Sequence, residues 1–252
     1  MSTTMKNVST FTVGAAQYAR FRPTYPASLF TLLASLAPAR ELAWDCATGT
    51  GQAAVALANH FDQVVGTDVS TEQIQGASRH EKITYSVSAA ERSTLATGSV
   101  DLLSVAQAVH WFDLDGFYAE ARRVLKPRGV IALWAYDYFL VEPAFDAVLR
   151  ETLLDPIVPF WSPANHLIFA GYRTISFPFA EIETPAFAIE TTWSLDELCG
   201  YLCTWSAVKR YIVERGMDPV AAARDRIGAA WGNAEARRNI RMPLHVRVGK
   251  KD

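Results

Sequence analysis

The sequence predicts an α/β fold, a doubly wound sheet of mostly parallel strands, and three observations carry that expectation. Short apolar runs alternate with stretches of helical spacing between Leu42 and Tyr136, giving five strands. The run Val100 to Ala106 is almost wholly apolar, as expected of a strand covered on both faces of a parallel sheet. Thr48-Gly49-Thr50-Gly51 stands where the first strand gives way to the first helix, a turn that glycine tightens most readily.

Taken in order, Phe11 to Arg20 gives a weak helical signal. Tyr18-Ala-Arg-Phe-Arg-Pro-Thr-Tyr-Pro26 follows, its prolines holding the chain extended before a helix from Ala27 to Leu36. This N-terminal part, residues 10–36, reads equally as a lid or as a packed connection. Leu42 to Cys46 is the first strand, and from Gln52 onward Ala54, Val55, Leu57, Ala58 and Phe61 recur at helical spacing. Gln63 to Thr67 is the second strand, closed by Asp68. Ser70-Thr-Glu-Gln73 has the capping-box pattern and starts a helix toward Arg79. Lys82 to Val87 alternates as the third strand and Val100 to Ala106 is the fourth. Asp113 precedes a helix with Leu114, Phe117, Tyr118, Ala121, Val124 and Leu125 on one face, stopped by Pro127 and Gly129. Val130 to Tyr136 is the fifth strand.

Glu142 to Asp155 then reads as helical, and Pro156 to Phe179 is rich in proline and aromatic residues. A loop of that length is usually functional or poorly ordered, so residues 139–181 are expected to form a substrate cap. Ile182 to Thr191 is a sixth strand candidate. Ser194 to Trp205, Ala207 to Arg215 and Pro219 to Trp231 are helices, and Leu244 to Val248 is a last strand. Without repeats, low-complexity segments or linkers, residues 1–252 are expected to form a single domain carrying lid and cap.

The chain of 252 residues, 50% hydrophobic and 20% charged, is an ordinary globular one. A chain of this size buries roughly 70 to 75% of its unfolded surface. A net charge of −2 and a pI of about 6.2 give no general pull toward nucleic acid or membrane. Trp205 to Asp252 holds eleven Lys/Arg against five acids, but they are scattered and read as solvated helix faces. The N-terminus lacks the apolar stretch of a signal peptide. The most membrane-like run, Val130 to Leu149, is interrupted by Asp137, Glu142, Pro143 and Asp146. A cytoplasmic protein is expected. Cys46 lies in the first strand, and Cys199 and Cys203 share a helix face without metal-ligand spacing, so packing is their expected role and no metal is expected.

In open α/β sheets, ligands sit outside the carboxyl ends of the strands where strand order reverses. Thr48 to Gly51, Asp68, Ala89, Gln107 to Trp111 and Tyr136 are then expected to share one rim. The helix after the glycine turn points free N–H groups at a ligand. Asp68, about twenty residues beyond the glycines, is placed to accept both hydroxyls of a ribose. Small residues at Ser88-Ala89-Ala90 let a flat ring lie against backbone. An adenosine-type ligand fits all three. Gly49-x-Gly51-x-x-Ala54 also satisfies the dinucleotide fingerprint, so the turn alone does not separate a nicotinamide dinucleotide from S-adenosylmethionine.

Several stretches in order resemble the class I S-adenosylmethionine-dependent methyltransferases, and within them the type 11 small-molecule group that includes trans-aconitate methyltransferase-like proteins. They are Tyr-Ala-Arg-Phe-Arg-Pro-Thr-Tyr-Pro (18–26), Trp-Asp-Cys-Ala-Thr-Gly-Thr-Gly-Gln (44–52), Val-Gly-Thr-Asp-Val-Ser (65–70), Ala-Gln-Ala-Val-His-Trp-Phe-Asp (106–113) and Leu-Lys-Pro-x-Gly (125–129). The resemblance implies a Rossmann-like seven-stranded sheet whose last strand is antiparallel, with S-adenosylmethionine as cofactor. It implies Asp45, Gly49 and Gly51 at the amino acid end of that cofactor, Asp68 at the ribose, Ala89 and Ala90 at the adenine and Gln107 close to the sulfur, with Ala47, Thr48 and Val69 also among the cofactor-binding residues. Two departures stand out. Ala47 replaces the first glycine of the usual turn, and Ala89 replaces a frequent acidic residue.

The methyl group of a sulfonium is already activated, so the protein must hold a nucleophile in line and keep water out. Proximity and orientation supply roughly 7 to 11 kcal/mol. Aromatic faces near a sulfonium add roughly 0.5 to 2 kcal/mol, and Tyr18, Trp111 and Tyr136 are candidates, with Arg22 and Tyr25 in the lid. His110 is a candidate general base for an acceptor that must lose a proton, whereas a carboxylate acceptor needs none. Trp111, Tyr136, Trp161 and Tyr172 are candidate acceptor contacts. The expected function is methyl transfer to a small organic acceptor. The alternatives are a nicotinamide-dependent oxidoreductase and a non-catalytic binder of the same cofactor.

Overall fold

A computed structural model describes residues 23–252, and the chain divides into two compact units. The sheet unit comprises Thr24–Asp137, Leu167–Phe187 and Leu244–Asp252; the helical unit contains Tyr138–His166 and Ala188–Pro243. The strands are β1 Leu42–Cys46, β2 Gln63–Asp68, β3 Ile83–Val87, β4 Val100–Ala106, β5 Leu125–Tyr136, β6 Ala180–Ile182, β7 Phe187–Trp193 and β8 Arg238–Lys250. Their order is β3-β2-β1-β4-β5-β8-β6, with β7 also paired to β8.

β1 to β5 are parallel. β8 runs antiparallel to both β5 and β6, as the resemblance implies. Strand order reverses between β1 and β4, which makes the carboxyl ends of those two strands the place for a ligand. β4 is buried along nearly its whole length, because helices cover both faces of a parallel sheet. On one face Trp44, Leu103, Val105, Ile131 and Leu133 pack with Phe117, Ala121 and Val124 of the helix Leu114–Val124. The helix Ala27–Leu36, expected at the inner end of a lid, buries Leu29, Phe30, Leu33 and Ala34.

Four boundaries differ from expectation, those of β5 and β8 because of strand pairing. The helix at Ser70 stops at Gln75 although Ser70 accepts the Gln73 N–H. β5 begins at Leu125, because pairing of Val100 with Leu125 draws Pro127 and Gly129 into a strand. β8 is 13 residues long, extended beyond Leu244–Val248 by its partners on both sides. The expected sixth strand is split into β6 and β7. The expected cap also differs from the unit observed: residues 167–181 belong to the sheet unit, and the helical unit includes 188–243.

The helical unit is built from the helices Pro143–Leu149, Leu195–Cys203, Ser206–Arg215 and Pro219–Trp231. The first continues through a π turn, Arg150–Leu154, into Asp155–Ile157. Leu195–Cys203 opens on a complete capping box between Ser194 and Glu197. Phe139, Trp193, Tyr201 and Trp205 form its aromatic centre, with ring centroids 4.8 to 6.4 Å apart. Among the described residues no helix is long and apolar enough to cross a membrane, and no group of three or more His, Cys, Asp or Glu can hold a metal ion. All three cysteines are free.

Candidate active site

The first element of the rim is a buried polar knot at the end of β1. Asp45, 1% exposed, accepts the Thr48 hydroxyl at 2.6 Å and the Ser104 hydroxyl at 2.8 Å. Burial pushes its carboxyl up to about 6, against the pull of those two hydrogen bonds. Ser104 reaches Asp45 because β1 and β4 pair with the two residues opposite one another.

The turn above the knot is left-handed at three positions, Ala47 (φ +55°), Gly49 (+57°) and Gly51 (+87°). For alanine that conformation costs roughly 1 to 2 kcal/mol. The Thr48 N–H bond to the Thr67 carbonyl, 2.8 Å, helps hold the turn in place. The two glycines serve different ends. A Cβ on Gly51 would overlap the Tyr85 hydroxyl, and one on Gly66 would lie 2.7 Å from the Tyr85 ring, so both glycines make room for a tyrosine. Gly49 is the open one; a Cβ there would meet only Gln73 Oε1, at 3.8 Å.

Asp68 closes β2 beside that open glycine. Its Oδ2 accepts the Gly49 N–H and its Oδ1 the Ser70 N–H, both at 2.9 Å. Partial burial raises the carboxyl above its ordinary value, opposed by backbone hydrogen bonds from Ser70, Gly49 and Val69. The two carboxylate oxygens can together accept about four hydrogen bonds, so the backbone orients Asp68 without using its full accepting capacity. Val69 beside it is 53% exposed. Ala89 is exposed and Ala90 buried, in a loop tied by the Ser88 N–H to the Asp68 carbonyl, 2.9 Å, and by the Ser88 hydroxyl to the Arg92 carbonyl, 2.8 Å.

At the end of β4, Gln107 is also left-handed (φ +58°). Its N–H donates to the Trp134 carbonyl at 2.8 Å, and its side-chain amide to the Tyr136 carbonyl at 3.1 Å. Tyr25 packs edge-on against Trp134, 5.5 Å between centroids, and lies 6.5 Å from Tyr136. Trp111 is half-buried beside His110, 4.8 Å between rings.

The expected roles of His110 and Tyr172 meet a different arrangement. His110 is 8% exposed, its Nδ1 lies 3.0 Å from the Tyr172 hydroxyl, and burial pushes its pKa down to about 3. Tyr172, expected in the cap, is fully buried in the core of the sheet unit. Together they form a buried hydrogen-bonded pair, a neutral imidazole stacked on a phenol. Trp161 lies in the helical unit, 5.5 Å from Trp205. Tyr18 and Arg22 lie outside the described residues. Sequence reading missed Tyr85, Ser104, Asp137 and His245. Tyr85 could have been suspected from its place on an alternating strand; nothing in the sequence marked the others.

A parallel sheet with this reversal, a glycine turn at the switch point and an acid closing the second strand defines a class I, Rossmann-like nucleoside-binding fold. Residues 44–133 match the family described as methyltransferase domain. A Dictyostelium discoideum chain with a provisional methyltransferase name is 31% identical over 245 residues, spanning 93% of this chain and 92% of the relative. A solved structure from Anaeromyxobacter dehalogenans, provisionally described as a type II methyltransferase, has a TM-score of 0.86 and 42% identity, covering 91% of this chain and 97% of that one. A Saccharomyces cerevisiae chain, provisionally named as an S-adenosylmethionine-dependent methyltransferase, is 27% identical over 140 residues, 52% of this chain and 47% of its own. The chain belongs to the class I S-adenosylmethionine-dependent methyltransferases, and S-adenosylmethionine is its cofactor.

Proposed function

We propose that the chain methylates a small organic acceptor of the kind used by trans-aconitate methyltransferase-like proteins, a carboxylate, hydroxyl or similar group, by in-line displacement. The observation that carries this is Asp68, oriented by backbone N–H groups with accepting capacity left beside the open Gly49. The vicinal hydroxyls of an adenosine ribose match that carboxylate, and the likeness to methyltransferase-named proteins favours a methyl donor over a dinucleotide as the nucleoside held there.

In this reading Asp68 and Val69 take the ribose and the Ala89–Ala90 loop takes the adenine through backbone and shape. Asp45, Ala47, Thr48, Gly49 and Gly51 form the amino acid end, where Asp45 acts through the turn it anchors because it is itself buried. Gln107, fixed to β5 by two hydrogen bonds, marks the reacting end. Bound there, the cofactor supplies an electrophilic methyl on a sulfonium. Trp111 and Tyr136 border that end and exclude water from it. His110 and Tyr172 brace the loop after β4 from within the core.

Thermal unfolding with S-adenosylmethionine, S-adenosylhomocysteine and NAD tests the reading. The first two, at about 100 times their dissociation constants, stabilise by about 2.7 kcal/mol, and NAD gives no shift. Stabilisation by NAD alone refutes it. Release of labelled methyl to added organic acids and alcohols then separates enzyme from binder.

A further inference from the structure

The carboxyl rim extends past Gln107 to a pair the sequence did not advertise. His245 stands on β8 directly opposite Ala135 of β5, and Asp137 immediately follows β5. Its Nε2 lies 3.2 Å from Asp137 Oδ2, with the two side chains 27% and 26% exposed. His110, by contrast, is buried with its Nδ1 committed to Tyr172. An imidazole bonded to a carboxylate through Nε2–H keeps Nδ1 as an acceptor. Gly171 packs against the ring: it is left-handed (φ +62°), and a Cβ on it would press to 3.0 Å from His245 Nδ1.

The neighbouring guanidinium on the same strand is engaged elsewhere. Arg247, two residues along the same face of β8, is held by Glu181 at 2.8 and 2.9 Å and by the Tyr172 and Ile175 carbonyls at 3.0 and 2.7 Å. Asp137 also follows Tyr136, whose carbonyl accepts the Gln107 amide. Gln107, Tyr136 and His245 therefore lie at the ends of successive strands, β4, β5 and β8. With strands about 4.8 Å apart, the backbones at Gln107 and His245, two strands away, are about 10 Å apart.

We propose that His245, oriented by Asp137, is the general base of this site, and that the acceptor is therefore a hydroxyl rather than a carboxylate; this rests on the methyl-transfer reading above. The hydroxyl proton passes to His245 Nδ1. The oxygen lone pair forms the C–O bond to the methyl carbon as the C–S bond breaks, and the electron pair of that bond stays on sulfur, which becomes a neutral thioether. The proton then leaves His245 for solvent, which its exposure permits. A carboxylate acceptor carries no proton to remove and gives such a pair no task.

Two readouts test this. In protein labelled with ¹⁵N-histidine, NMR shows His245 as the Nε2–H form with an unprotonated Nδ1, and Asp137→Asn abolishes that preference; an Nδ1–H form in the wild type overturns the proposal. The second uses 3-(4-hydroxyphenyl)propanoic acid, which carries both acceptor groups, with labelled S-adenosylmethionine. The wild type yields the methyl ether, and His245→Gln lowers its formation tenfold or more while cofactor affinity by calorimetry is unchanged. A methyl ester, no ether, or an ether formed by His245→Gln at the wild-type rate overturns the proposal. Failure of the wild type to bind the cofactor would instead sink the methyl-transfer reading.

Discussion

Replacing Asp45 by asparagine should make the protein more stable above pH 6 and slightly less stable near pH 4. Burial raises this carboxyl from 3.8 to about 6, even though hydrogen bonds from Thr48, Ser104 and the Ala54 N–H pull it down; nearby Asp68 pushes it up a little. Between those two values the folded state holds the proton more firmly than the unfolded chain, so stability falls as pH rises through that window. A shift of about two units at 1.36 kcal/mol each amounts to about 3 kcal/mol, present below pH 4 and lost by pH 6 to 7. Asparagine has no charge to desolvate, though it accepts only one of the two hydroxyls through oxygen, a cost of about 1 kcal/mol. The variant should therefore lie about 1 kcal/mol below wild type at pH 4 and about 2 kcal/mol above it at pH 8. Urea unfolding followed by circular dichroism, at half-unit steps from pH 4 to 8, measures the difference. Parallel curves for the two proteins would mean that Asp45 ionises without penalty and would refute the buried-knot reasoning. If the knot also shapes the amino acid end, the stabilised variant should bind S-adenosylmethionine more weakly.

Asp68→Ala should weaken S-adenosylmethionine binding by about 1.5 to 3 kcal/mol, the range for hydrogen bonds to a charged group; equal affinities in calorimetry would remove Asp68 from the site. Tyr172→Phe leaves the buried His110 Nδ1 without the phenol and should destabilise the protein by about 1 to 3 kcal/mol. Its methyl-transfer rate, measured well below its unfolding temperature, should stay within a few-fold of wild type, and a hundredfold drop would return that pair to the chemistry.

Much of the sheet was legible because the signals that specify it are local. β1, β2 and β4 are apolar runs ended by a glycine turn, an acid and a polar residue, and their bounds agree with expectation to within a residue. The place of Asp68 at the end of β2 was legible for the same reason, since the strand that it closes is a local apolar run. The packing demand on Gly51 was not legible: its neighbour Tyr85 is 34 positions away, and a steric demand from so far along the chain leaves no local pattern. His110 was favoured because it sits in a motif, whereas the structure buries it and exposes His245, whose partner Asp137 is 108 residues away.

By itself, then, the sequence determined the order of strands and helices, the glycine turn and the acid that closes β2, because periodicity, backbone freedom and spacing act over a few residues. Only the tertiary structure decided which titratable side chains keep contact with water. That depends on which strands become neighbours, and the pairing of β8 against β5 brings His245 to Asp137 while the fold of residues 167–187 seals His110 beneath Tyr172.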